Sequence, residues 1–305
     1  MSVPLENEAN TTLKRDWSTF RGQLKHPEVI VTQTSPEAAK TVEDALFLWL
    51  ISLESYTPCN LTKEQDKLVA ISGIARDIQL HLECAYLAGH WEVQLARQLS
   101  WNHYSRMTRP NTYRAPSWSW ASVDGPIFTY GIQTEVGWHS LIEVLEARVE
   151  LATDDEMGQV KGGHLHVQGQ LCPIEIVLNE VIGNGKALGN ILVESQLVRV
   201  VLHIDDCDRS LSGKEQLYCL PLLPGVPRSL DEPTFGEPTF AALVLERVGE
   251  SETFQRVGFT SPPTADWKQW QQVPMLKVIG DLEDSVGGSR TFTRDTSNFV
   301  ELTII

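Results

Sequence analysis

The chain reads as an α+β protein, with a helical N-terminal third packed on a β-rich, sandwich- or barrel-like and mostly antiparallel remainder. Three observations predict this. Apolar residues recur at helical spacing as far as Trp101. After Pro110 the texture changes to short alternating runs parted by Gly, Pro, Asn and Asp. Finally, 305 residues at 42% hydrophobic content suffice for one large core or two modest domains. Residues 1–20 read as a polar, flexible arm, 21–110 as the helical region and 111–305 as the β-rich region, the last two sharing one core.

The first helix is expected over "SPEAAKTVEDALFLWLISLESY". Ser35 can cap it, Pro36 suits the first helical position and Glu37 favours the positive end of the dipole. Val42, Leu46, Trp49, Leu50 and Leu53 then share one side. The second is expected from Thr62, where Thr62-Lys63-Glu64-Gln65 fits a capping box. Its stripe is Leu68, Ile71, Ala75, Ile78 and Leu82. A third, shorter helix is expected over "HWEVQLARQLSW", with Trp91, Leu95 and Leu99 inward. Strands are expected at "ARVELAT", "HLHVQGQL", "PIEIVL", "LVRVVLHI", "LYCLPLL", "FAALVLERV", "TFQRVGFT" and "FVELTII". Gly183-Asn184-Gly185 carries hairpin chemistry, and "DEPTFGEPTF" reads as an exposed loop.

The net charge of −15, with a pI near 5.0, repels phosphate backbones, so nucleic acid is not an expected partner. The start, "MSVPLENEANTTLKRDW", has no apolar core of signal-peptide length, and no window approaches 18 consecutive apolar residues, so neither a signal peptide nor a membrane span is expected. The five cysteines are scattered, with no CxxC, and read as reduced thiols of a cytoplasmic chain.

"YRAPSWSWASVDGP", residues 113–126, holds two of the nine tryptophans. As a strand it would place Trp118 and Trp120 on one face, roughly 7 Å apart, with Ser117 and Ser119 on the other. Asp124-Gly125 then offers a turn. Two readings follow. The indoles are either a core wall or one side of a ligand pocket.

This stretch, with "DKLVAISGIARD" and "YLAGHWEVQLARQLSW" before it, resembles the C-terminal half of fungal heterokaryon-incompatibility (HET) proteins. The likeness is good over roughly residues 45–130 and looser after that, where "TFQRVGF" is similar to a segment near their C-termini. The motifs of the N-terminal HET module, which is similar to a TIR-like domain, are missing. Its nucleotide-hydrolysing and death-signalling roles are therefore not carried over. His90 and Ser100 stand where the family pattern has apolar residues, which is expensive in a dry core unless both are hydrogen-bonded.

Other chemistry is thin. His164 and His166 would share a strand face, but no third metal ligand is near. His203, Asp205, Asp206, Cys207 and Asp208 form an acidic cluster, and His81 and Cys84 stand three apart. Dinucleotide, P-loop, zinc-finger, HExxH and GxSxG patterns all fail, so no cofactor and no metal is expected.

The resemblance implies, for stand-alone relatives, cyclase work of Diels–Alder type on terpenoid or polyketide skeletons. Such a step needs an aromatic cavity and a few donors rather than a nucleophile. The lead expectation is thus a cofactor-free cyclase or isomerase acting on a hydrophobic small molecule, as monomer or homodimer. Trp91, Trp101, Tyr113, Trp118 and Trp120 would shape the cavity, and His90, Arg114 and Ser119 would supply polar contacts. The rivals are a non-catalytic HET-type interaction module with core tryptophans, and a hydrolase or dehydratase using His90 or His81 as base.

Overall fold

The structure is a computed structural model that describes residues 36–103, 105–129, 140–183, 186–193, 196–209, 216–224, 240–261 and 298–305. The expected arm and the "DEPTFGEPTF" loop, up to its last residue, lie outside these residues, as do Asn184 and Gly185.

Helix α1 (Pro36–Tyr56) and helix α2 (Lys67–Leu82) bury the expected stripes, with Leu46, Trp49, Leu50 and Leu53 on one and all five expected positions on the other. The Thr62 capping box does not form. A 3₁₀ turn over Glu64–Asp66 precedes α2 instead. Tertiary contacts set this start: Glu64 O accepts from Arg114, and the buried Lys67 ammonium donates to Val123 O. At the far end Glu83 adopts φ 47°, and its N–H closes on Gln79 O at 3.0 Å.

The helical third is smaller than expected. Among the described residues before Pro110, helix is confined to α1, α2 and a single turn, α3 (Leu95–Gln98). The expected third helix is replaced by a hairpin of β1 (Tyr86–Leu87) and β2 (His90–Trp91), followed by α3 and β3 (Trp101–Asn102). Ala88 and Gly89 both have positive φ, 47° and 99°, the signature of a tight type I′ hairpin loop. The Gln98 amide then meets Trp91 N–H and Trp91 O, both at 2.8 Å, groups that a helix would have paired internally.

Residues 117–120 are not a strand either. They form turns running into a 3₁₀ helix over Trp120–Ser122, with Ser119 Oγ accepting the Ala121 N–H. The two indoles therefore do not stand side by side on a pleat. Beyond them β4 (Phe128–Thr129) pairs with β3.

The β-rich part is a barrel. Strands β7 (Cys172–Gly183), β8 (Lys186–Val193), β9 (Gln196–Ile204), β10 (Leu217–Pro224), β11 (Phe240–Arg247) and β12 (Thr253–Ser261) close in the order β7-β8-β9-β12-β11-β10, every neighbour antiparallel. Gly183 lies opposite Lys186 across the β7–β8 turn. β8 is the strand that alternation in the sequence did not mark. Its Gly189 and Asn190 depart from β-type composition, and pairing along both edges overrides that. Three strands extend the sheet as a wing. β13 (Val300–Ile304) runs parallel to the start of β12, and β6 (Val160–Gly169) and β5 (Glu143–Leu151) follow it.

Two apolar cores result. One takes Ile174, Ile191, Val200, Leu202, Cys219, Val244, Val257 and their neighbours from all six barrel strands, so it fills the barrel. The other lies outside. There Tyr218, Leu220, Leu243, Leu245, Phe254 and Phe259, on the outer barrel face, join β6, β13, α1, α2 and the tryptophans in one continuous layer. The helical and β-rich regions thus share this second core.

Candidate functional site

The expected site residues fall mostly in the outer core. Trp91, Trp101, Trp118 and Trp120 have no exposed surface. Trp91 meets Tyr86 and Trp49 edge-on, with ring centroids 5.0 and 5.7 Å away. Trp120 meets Tyr56 edge-on at 6.1 Å. Tyr113 is the outlier, half exposed, and its phenol is pushed up to about 12 by partial burial and by Glu150.

These residues lock two segments together. Trp120 Nε1 donates to Gly89 O at 2.7 Å, and Trp49 Nε1 donates to the same oxygen at 3.2 Å. Ser119 Oγ donates to Ala88 O at 2.5 Å. The hairpin loop therefore has both carbonyls bound by side chains of α1 and of residues 119–120. Gly89 is required here on two counts: its φ is positive, and a Cβ at this position would lie only 2.4 Å from Trp120 Nε1. Trp101 Nε1 donates to Trp118 O at 2.9 Å.

Arg114 is buried but turned away from Tyr113. It donates to Ala121 O at 2.6 Å, Val123 O at 2.9 Å, Glu64 O at 3.1 Å and Asp124 Oδ1 at 2.8 Å. Lys67 reaches Asp124 at 3.2 Å and lies 5.8 Å from the Trp120 ring centroid. Burial, then the neighbouring Arg114 charge, lowers Lys67 to about 8. Partial burial pushes the Asp124 carboxyl up. Hydrogen bonds and charge from Arg114 and Lys67 outweigh it and hold the group below its ordinary value.

His90 is buried, its ring 5.9 Å from that of Trp118 and tilted by 34°. Burial drives its pKa down to about 3, against a smaller upward pull from the Trp118 backbone. It is neutral near pH 7 and too weak there to serve well as a general base. Among the described residues, His90 Nε2, Trp118 Nε1, Trp91 Nε1 and Asn102 Oδ1 are buried without a hydrogen-bond partner. Ser100, the other polar replacement, is satisfied by Arg97 O at 2.6 Å.

The sequence reading missed the ion cluster beneath this layer. Arg256, fully buried on β12, meets Asp205 through Nε at 2.9 Å and through Nη2 at 3.3 Å. It also donates to Leu99 O and Trp101 O at 2.8 and 2.6 Å, and its guanidinium lies over the Trp101 ring. Arg109 joins Asp205 at 3.3 Å and Arg256 O at 2.7 Å. The one signal was an Arg inside the apolar alternation of "TFQRVGF".

The other sequence candidates disperse. His164 faces Glu146 and His166 faces Glu301 on the wing. In the acidic cluster, His203 Nδ1 faces His103 O, Cys207 Sγ accepts the Met107 N–H and Asp208 pairs with Arg106. Among the described residues no three His, Cys, Asp or Glu side chains gather in a metal-holding group. Nor is any helix among them long and apolar enough to cross a membrane.

No family model, curated protein or solved structure matches this chain. The site must therefore be read from its own chemistry. That chemistry is a set of bulky donors, Trp, Arg and Ser, closing on backbone carbonyls of residues 88–124.

Proposed function

We propose that this chain is a non-catalytic interaction module of the type found in the C-terminal half of HET proteins. In this reading its tryptophan motif is a structural staple. One observation carries it: Trp91, Trp101, Trp118 and Trp120 have no exposed surface. Arg114 and Ser119 support it, since their donors are committed to backbone carbonyls rather than held ready for a guest. The net charge of −15 makes a basic protein surface the complementary partner and disfavours nucleic acid.

A paired substitution tests this. Trp120→Phe removes the donor to Gly89 O and should cost about 1–3 kcal/mol in urea denaturation. Trp118→Phe loses the same ring volume but removes an N–H that has no partner among the described residues, so it should cost less than Trp120→Phe. Purified protein incubated with extract from a fungal pathway blocked at a cyclisation step should leave the extract unchanged.

A second reading has its own observation. Among the described residues, His90 Nε2 and Trp118 Nε1 are an unmet acceptor and donor on adjoining rings, and buried polar atoms are seldom left so. Filled by a polar group of an oily guest, they would serve a cofactor-free, Diels–Alder-type cyclase that holds a terpenoid or polyketide intermediate in a reactive pose. That reading requires turnover in the extract, and its loss in Trp118→Phe under conditions where that variant remains folded. Such a result would overturn the module reading.

A further inference from the structure

Cys172 and Cys219 are 47 places apart in the sequence yet lie directly opposite each other, Cys172 on β7 and Cys219 on β10. Both are buried, at 5% and 0% exposure, inside the barrel. Directly opposed residues of antiparallel strands have Cα atoms about 4.5–5.5 Å apart and project to the same face. A disulfide accepts Cα separations of about 4.4–6.8 Å, so this position suits one.

The location matters as much as the distance. Among the described residues, β7 and β10 meet only over Cys172–Ile174 against Leu217–Cys219, the shortest of the six barrel seams. Beyond it β10 leaves β7, and Leu222 O accepts the Leu141 N–H instead. The β8–β9 seam, by contrast, runs the full length of Lys186–Val193. We propose that Cys172 and Cys219 are a redox-sensitive dithiol whose oxidation staples the barrel at its shortest seam.

The oxidant would be a small disulfide such as oxidised glutathione. One cysteine thiolate attacks a glutathione sulfur, forming a mixed disulfide and expelling one glutathione thiolate. The second cysteine thiolate then attacks the protein sulfur of that mixed disulfide. The Cys172–Cys219 bond forms and the other glutathione thiolate leaves. The two cysteines lose two electrons and two protons, and one oxidised glutathione becomes two reduced. Burial, with Cys172 alongside, raises the Cys219 thiol well above its ordinary value, so reaction awaits transient opening of the seam. The exposed Cys59 should be capped by glutathione sooner.

The test uses the full chain with all five cysteines. After incubation with oxidised glutathione at a temperature that opens the seam, the protein is digested without reduction and mapped by mass spectrometry. The expected product links the Cys172 and Cys219 peptides. It should also melt about 5 °C or more above the reduced form, a rise reversed by dithiothreitol. A Cys172→Ala/Cys219→Ala chain should show no oxidant-dependent rise, which separates the staple from capping elsewhere. Recovery of both cysteines as alkylatable thiols, a link to other partners, or a linked form that melts lower would each overturn the proposal.

Discussion

The two cores of this molecule solve the same problem in opposite ways. Among the described residues, the barrel interior is aliphatic, with Ile174, Ile191, Val198, Val200, Leu202, Leu217, Ala242, Val244 and Val257 and no aromatic side chain. The outer core holds, among the described residues, five fully buried tryptophans, Trp49 one of them, with buried His90, Arg114, Ser119, Lys67, Arg256 and Asp205 around them. The difference lies in the backbone. Barrel strands pair their own N–H and C=O groups along ladders, so the side chains need only fill space. Residues 88–124 are largely loop and turn, and buried loop carbonyls need donors from elsewhere. Ala88, Gly89, Leu99, Trp101, Trp118, Ala121 and Val123 all receive side-chain donors at their carbonyls. A tryptophan fills core volume and brings one N–H, and an arginine brings five. This explains why the "YRAPSWSWASVDGP" stretch has that composition.

The largest expected loss comes from removing the buried donor that faces the buried Asp205 carboxylate. Arg256→Met should cost about 3–5 kcal/mol in urea denaturation, because Asp205 would keep its buried charge with, among the described residues, only Arg109 paired to it. Arg256→Lys should not restore it, since an ammonium cannot reproduce the planar fork. A loss below about 1 kcal/mol would show that the outer core does not depend on its donors. Next comes Gly89→Ala, expected at about 2 kcal/mol or more from the positive φ and the approach of Trp120. The barrel should respond more gently. Ile191→Val there should cost about 0.5–1.5 kcal/mol, the graded loss of one methylene.

The smallest effect near neutral pH belongs to His90. Its folded pKa is about 3 against an ordinary 6.5, so the unfolded chain binds the proton first. Stability is therefore full above pH 6.5 and declines as pH falls from there toward 3. Burial lowers His81 and His103 as well, so they add to the slope. His90→Gln should leave stability at pH 7 little changed and flatten part of the acid decline followed by thermal melts. An unchanged slope would mean that His90 takes up its proton in the folded state.

Much of the fold was legible. The stripes of α1 and α2 sit on the predicted residues, because helical spacing is a local signal that packing merely reads. Eight predicted strands are present for the same reason. The third helix failed because Ala88-Gly89 forms a hairpin and Gln98 ties down Trp91, and the Ser-Trp-Ser-Trp strand failed because Ser119 opens a 3₁₀ turn. Of the candidate site residues, the four tryptophans, His90, Ser119 and Arg114 are all buried, while Tyr113 is half exposed. Arg256 and Asp205, 51 places apart in the chain, could not be paired from sequence.

The sequence by itself determined the buried stripes of α1 and α2 and eight of the strands, that the balance is acidic, and that residues 113–126 carry an unusual load of aromatic donors. These are properties of composition and short-range periodicity. Only the tertiary structure decided that the strands close into a barrel, that Gly89 O receives two indoles, that Arg256 reaches Asp205, and that Cys172 faces Cys219. Each of those joins distant segments, and the geometry that selects one pairing over its competitors exists only after the chain has closed on itself.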